Sequence, residues 1–315
     1  MSDLNEPGWE RKLLEKLAFE NLKETRRRRR WGVFFKLVGF AYVGFILFLT
    51  WAWQNGTDSV SDGAAHTAMV EMNGAIGVGD AVNAEQVNLA LQSAFEDAGT
   101  KGVILRINSP GGSPVQAGMI NDEIRRLRAK YKDIPLYAVV EDICASGGYY
   151  VAAAADKIFV DKASIVGSIG VRMDGFGFTG AMEKLGVERR LVTAGENKAF
   201  LDPFSPQDPK QVQFAHDMLE EIHQQFIDVV RKGRGARLHE TPDMFSGLFW
   251  TGSKSIELGL ADAYGTVDSV ARDVIKAEEV RDYTQRENFA ERFAKRFGAE
   301  VAGGATQALS RVGIK

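Results

Sequence analysis

The sequence predicts an α/β domain with a mainly parallel sheet, preceded by a single apolar helix. Three observations lead there. From residue 67 onward, short strand-like runs alternate with helix-patterned stretches, the pattern of parallel strands joined by crossover helices. Two glycine-rich turns, at 108–113 and 144–150, each end a strand-like run and open a helix-like one. Between residues 31 and 53 the only charge is Lys36, and the run is long enough for the ~20 apolar residues that cross a bilayer as a helix.

Taken in order, the chain opens with a basic segment, 1–30, ending in five consecutive arginines at 26–30. The span 31–53 is bracketed by Trp31, Trp51 and Trp53, as interfacial aromatics would be, and Lys36 can snorkel toward the arginines. Positive charge on that side places the N-terminus in the cytoplasm and the body beyond a bacterial inner (cell) membrane. A cleaved signal peptide fits less well: the apolar run exceeds an h-region of ~7–15 residues, and Gln54-Asn55-Gly56 offers no small-residue cleavage site. Residues 54–66 are polar and aperiodic and read as a tether, with His66 inside it. The domain follows at 67–280. Strand-like segments are expected at 67–76, 102–108 and 135–141, and helices at 83–97, with Asn83 as cap, and at 115–131. A long helix at 209–231 carries Val212, Ala215, Leu219, Ile222, Phe226 and Val229 on one stripe, read as core or subunit contact. Residues 281–315 form a tail in which Phe289, Phe293 and Phe297 recur at helical spacing, as in an amphipathic helix.

Composition narrows the function classes. Apolar residues are 45% and charged residues 26% of 315, with 33 Gly and 8 Pro, which excludes collagen-like or wholly disordered chains. Net charge is -3, yet residues 1–36 hold ten Lys or Arg against six Asp or Glu, so the body is acidic and nucleic acid is not an expected partner. The single cysteine, Cys144, rules out an intrachain disulfide framework and any cysteine-rich metal site. Gly175–Gly180 spells GxGxxG, but that pattern alone is a weak dinucleotide signal that needs a preceding strand, a following helix and an acidic residue ~20 further on, so it reads as a flexible loop or substrate-edge strand. No zincin, EF-hand or P-loop pattern occurs, and neither a metal nor any other cofactor is expected.

The two glycine-rich turns are where chemistry can sit, because ligands of an open α/β sheet bind at the carboxyl ends of its strands. Paired glycines admit a substrate to the backbone, whose N–H groups can stabilise developing negative charge. Ser146, followed at once by Gly147, is the candidate nucleophile; from the motif alone the reading as a helix N-cap in a tight turn is favoured. A serine hydroxyl needs a base. None of the four histidines, His66, His216, His223 and His239, lies in a glycine-rich turn. A lysine serves instead where burial keeps it neutral. Lys198 follows the strand-like stretch 189–194 and adjoins apolar residues, although by residue type alone it reads as an exposed lysine. Glu196 is expected to turn into solvent, since a carboxylate beside the lysine would favour its charged form. Cys144 reads as small buried packing.

The order SPGG (109–112), ASGGYY (145–150), GSIGV (167–171) and AGENKA (194–199) resembles the S49 family of signal peptide peptidase A and its SohB-type relatives. The resemblance covers about residues 67–270 and extends to FWTGSKSIELGLADAYG at 249–265. It implies a ClpP/crotonase-like α/β fold and a membrane serine peptidase with a Ser/Lys dyad. It places Ser146 as nucleophile, Lys198 as base, Ser168 as the hydrogen-bonding support of the lysine, and Gly112 with Gly147 as the oxyanion hole. With one copy of the motifs, the chain resembles the family's short form, expected to assemble into a homo-oligomeric ring or dome. Expected partners are hydrophobic peptide substrates and the lipid bilayer. A catalytically silent membrane scaffold and crotonase-type acyl-CoA chemistry are the alternatives; the anchor and the lysine argue against the latter.

Overall fold

A computed structural model describes residues 9–55 and 63–286, and the chain divides into two compact units, Met1–Asp62 and Gly63–Lys315. In the first, α1 (Trp9–Asn55) is one continuous helix. Its stretch Arg26–Leu49 is 24 residues long and wholly unburied, and beyond the five arginines its only charge is Lys36. At 1.5 Å per residue this is ~36 Å, enough by length and composition to cross a bilayer.

The second unit is an α/β domain, as expected. Its sheet runs through β1 (His66–Asn73), β2 (Thr100–Ser109), β3 (Leu136–Ala145), β4 (Lys157–Val160), β5 (Ile165–Gly167), β6 (Phe249–Thr251), β7 (Ala263–Tyr264) and β8 (Val280–Asp282). The strand order is β6-β5-β3-β2-β1-β8, with β4 on the first half of β3 and β7 beside β4. Every pairing is parallel except β5 with β6. Between β1 and β2 lies α2 (Ala84–Glu96), capped by the Asn83 side chain, which accepts the Gln86 N–H at 3.0 Å. Between β2 and β3 lies α3 (Pro114–Lys130), with Ser113 as N-cap and Pro114 in its first turn, where a missing N–H costs nothing. The short α4 (Gly147–Ala152) follows β3 directly.

Period-two side chains explain the layering. Val103, Leu105 and Ile107 of β2 face one way and are fully buried with Leu91, Phe95, Ile120, Ile124 and Leu127 of α2 and α3. Ile104 faces the other way, into a smaller cluster with Val139, Phe159, Val270 and Ala271.

The structure differs from the sequence reading at three edges. β3 continues past 141 to Ala145, because β5 pairs with that half of it. The sheet continues past 280: β8 pairs with β1, and the Tyr283 N–H donates to Met69 O at 2.8 Å. His66, read as tether, is the fully buried first residue of β1. Its ring lies 2.9 Å from the Tyr283 hydroxyl, which donates to Asp97 Oδ2 at 2.6 Å. That bond, with the Gly99 amide, holds the Asp97 carboxyl below its usual range. Phe289, Phe293 and Phe297 lie outside the described residues.

The long helix α6 (Pro209–Arg234) ends in a buried ion pair. Arg234, 1% exposed, donates to Gly259 O and to Asp262 Oδ2, both at 2.8 Å. Asp262 also accepts the Ile158 N–H at 2.7 Å and Arg237 at 3.1 Å. Burial pushes the Asp262 carboxyl up, but Arg234, the Ile158 amide and Arg237 outweigh it and hold it below the usual carboxylate range. Removing one partner of such a pair strands a buried charge. Asp262→Asn is therefore expected to cost about 3–5 kcal/mol in denaturant unfolding. Because the folded carboxyl titrates below the unfolded one, its contribution is complete above about pH 4 and is lost as pH falls further. The difference between wild type and Asp262→Asn should shrink over that acid range.

Candidate active site

Four chain segments meet at the carboxyl end of the sheet, and strand register is what brings them together. β2 and β3 pair in parallel, with a register shift after Ile107 that sets Ser109 opposite Cys144. The turn after each strand is thereby laid against the other. Ala145 at the end of β3 pairs with Gly167 of β5, and the Ser146 N–H donates to Gly167 O at 2.8 Å. From the end of β1, the Ile76 N–H donates to Gly111 O at 2.9 Å, and Ile76 O accepts the Ser113 N–H at 2.7 Å.

Only glycine fits at two of these positions. Gly111 has φ +99°, and a Cβ there would stand 2.7 Å from the Gly147 nitrogen. Gly112 has φ +150°, and a Cβ would fall 2.0 Å from Ile76 O. The close approach puts the Gly112 nitrogen 3.3 Å from where a Cβ on Gly147 would lie. Among the described residues, neither the Gly112 nor the Gly147 amide donates to a protein acceptor.

Ser146 stands beside them at φ 50°, ψ -123°, a conformation that non-glycine residues occupy at a cost of ~1–3 kcal/mol. Its side chain does not cap α4, so the reading of Ser146 as a plain N-cap is not what the structure holds. Ser168 is also at positive φ, 53°, and its N–H donates to Leu248 O at 2.7 Å. Ser146, Gly112, Gly147 and Ser168 line one cleft of about 1170 Å³.

The structure does not bring Lys198 to that cleft. No residue from Val171 to Lys210 is buried, and Lys198 and Glu196 are both exposed. Residues 189–194, expected as a strand, pair with nothing and are exposed throughout. The arm is ordered by its own contacts. Within it, α5 (Thr179–Leu185) follows Phe178, whose ring stacks on Phe204 at 5.3 Å and whose N–H donates to Pro203 O at 2.7 Å. Arg189 pairs with Asp202. The GxGxxG stretch lies in the arm, with no strand before it.

Other candidates resolve simply. Cys144 is fully buried in β3, and desolvation pushes its thiol far above the usual range. His223 contacts Ile169 O at 3.2 Å and His239 contacts Glu257 O at 2.8 Å; no histidine lines the cleft. The two tyrosines of ASGGYY divide their roles: the Tyr149 hydroxyl donates to Leu260 O at 2.8 Å inside the core, whereas Tyr150 faces the cleft. Also unforeseen as cleft residues were Ile222 and Phe226, read as packing, together with Met119 and Asp122. Their helical spacing was visible in the sequence, but nothing local said which face would meet Ser146. Among the described residues no cluster of His, Cys, Asp or Glu could hold a metal ion.

A strained serine flanked by two unpartnered amides, at the strand ends of a parallel sheet, defines a site suited to acyl transfer through a serine nucleophile. Sequence comparison agrees. The profile of peptidase family S49 matches residues 128–281. A protein of Enterococcus faecium carrying the provisional name signal peptide peptidase SppA is 30% identical over 237 residues, 72% of this chain and 68% of that one. Protease 4 of Haemophilus influenzae is 32% identical over 222 residues, 69% of this chain and 35% of that one. A protein of Brucella melitensis named Na(+)/H(+) antiporter NhaA is 44% identical over 209 residues, but the match covers only 28% of its length and 65% of this chain. The chain belongs to peptidase family S49, a family of serine peptidases with a ClpP-like α/β fold.

The burial of Cys144 has a direct chemical consequence. Its thiol should resist alkylation by iodoacetamide at pH 8 in the native protein and react fully in urea, as mass spectrometry would show.

Proposed function

We propose that this chain is a membrane-anchored serine endopeptidase that cleaves extended, hydrophobic peptides, such as released signal peptides or membrane-protein fragments, outside the cytoplasm. The observation that carries this reading is Ser146, held in a strained conformation with an uncapped side chain beside the free Gly112 and Gly147 amides. Strain of this kind persists at functional sites because the surrounding structure enforces it. The apolar walls of the cleft suit hydrophobic peptide, and α1 supplies a helix long enough for the anchor.

Ser146 Oγ attacks the peptide carbonyl and passes its proton to the base; the carbonyl π pair moves onto oxygen, where the two amides receive it. Collapse breaks the C–N bond, the leaving amine takes the proton, and water attacks the acyl-enzyme by the same route. The base is Lys198, with Ser168 as its support. Within one chain Lys198 stands on the exposed arm, away from the cleft. The arm and its surroundings also leave Phe176, Leu185, Val192 and Phe214 uncovered, at 81%, 78%, 94% and 64% exposure. Large apolar side chains left this exposed favour an interaction site. A second copy of the chain covers this arm and receives Lys198 at its own Ser146, which also removes water from the amine as a general base requires. The dyad is then complete only in the homo-oligomer.

Two measurements test this. A fluorophosphonate probe should label Ser146 in the detergent-solubilised protein, and Ser146→Ala should lower peptide hydrolysis by at least about 10³-fold, with Lys198→Ala nearly as damaging because the two act as a unit. Co-assembling the two inactive variants should restore activity, since each interface between them can pair an intact serine with an intact lysine. Absence of restoration would place the dyad within one chain. Absence of labelling would favour a silent scaffold.

A further inference from the structure

The cleft that begins at Ser146 does not stay apolar along its length. On α3, Val115, Met119 and Asp122 fall at i, i+4 and i+7, on one face of the helix, and all three line the cleft. Facing them across the floor formed by Gly147 and Tyr150 are Ile222 and Phe226 of α6, with the Phe226 ring 5.1 Å from that of Tyr150. Helix rise sets Asp122 ~10 Å along the axis from Val115, away from the glycine-rich end of the helix.

Asp122 is exposed and, of the described residues, is the one carboxylate lining the cleft. Among the described residues its carboxylate has no hydrogen-bond or ion-pair partner, whereas its neighbour Asn121 is committed, donating to Tyr150 O at 2.7 Å and accepting from Arg125 at 2.7 Å. Arg125 is turned toward that amide and does not line the cleft. The one cation that does, Arg172, is 89% exposed and lies 3.5 Å from Asp174. The Asp122 charge is felt on the cleft floor: burial, and after it Asp122, push the Tyr150 phenol above its usual range, with Arg125 acting against them. Val115 and Met119, 69% and 49% exposed, offer an uncovered apolar path that leads to this carboxylate.

An apolar groove with a lone carboxylate along it fits a long aliphatic side chain that ends in a positive charge. We propose that Asp122 is a specificity-determining residue that selects a lysine or arginine of the substrate peptide, its aliphatic stem lying along Val115, Met119 and Phe226. The substrate is then a hydrophobic peptide with one cationic residue at a fixed distance from the scissile bond, not a uniformly apolar one. The inference rests on the serine peptidase reading above.

The test uses full-length, detergent-solubilised protein and quenched-fluorescent peptides of one apolar sequence, carrying a single Lys, norleucine or Glu at successive positions around the scissile bond. Norleucine keeps the stem and removes the charge. At one position Lys should exceed norleucine by about tenfold in kcat/KM, a preference that weakens with salt. Asp122→Asn should reduce that ratio to near one by lowering cleavage of the Lys peptide more than that of the norleucine peptide, and Asp122→Lys should shift the preference to Glu. A small serine-directed probe without a peptide portion, applied to each variant, separates the two readings. If Ser146 is labelled but Lys and norleucine are equivalent at every position, or their ratio survives Asp122→Asn, the role of Asp122 is overturned and the peptidase reading stands. If the wild type neither cleaves the peptides nor labels at Ser146, both fall together.

Discussion

The parallel pairing of β2 with β3, and the shift in its register after Ile107, is the constraint on which the rest of this site depends. By setting Ser109 opposite Cys144 it lays two glycine-rich turns side by side, so close that a Cβ on Gly111 would meet the Gly147 nitrogen at 2.7 Å. Two strands in perfect register would leave the turns as ordinary loops. Here they form one rigid surface, braced by Ile76 from β1 and Gly167 from β5. Its Gly112 and Gly147 amides are held in place without a protein acceptor, the arrangement that the proposed oxyanion role would use. The strain at Ser146 is a consequence of the same packing: its N–H is held by Gly167 O, and the segment on either side is buried.

The second wall of the cleft has a separate origin. α6 reaches the cleft through Ile222 and Phe226, and its far end is fixed by Arg234 on Asp262. Asp262, the residue before β7, also accepts the Ile158 amide of β4. A buried charge of this kind contributes little net stability compared with apolar packing, but it tolerates no other arrangement once formed. It thereby sets the position of a helix whose first turns have no cover of their own, Val212 and Phe214 being 41% and 64% exposed.

The arm that carries Lys198 obeys different physics. It is closed by contacts within itself, Phe178 on Phe204 and Arg189 with Asp202, and gains nothing from the core. An isolated chain has no reason to keep Phe176, Leu185 and Val192 in water. The proposed second copy over that surface would account at once for the uncovered apolar residues and for the distance of Lys198 from the cleft of Ser146.

Alternating strand and helix periodicity by itself determined the α/β class, the cap at Asn83, and the turns that hold Gly112, Ser146 and Gly147, because these follow from local backbone and side-chain preferences. Family resemblance added Ser168 and turned Lys198, which by residue type alone reads as an exposed lysine, into the expected base. The tertiary structure alone decided how these are disposed. That Ser146 is strained and uncapped, that β8 closes the far edge of the sheet, that His66 is core and not tether, and that residues 189–194 find no partner strand all depend on neighbours distant in the chain. The same holds for Asp122: helical spacing put it on a face with Val115 and Met119, but only the packing of α3 and α6 over α4 turned that face into a cleft wall. Periodicity tells which residues share a face, and long-range contacts tell what that face meets.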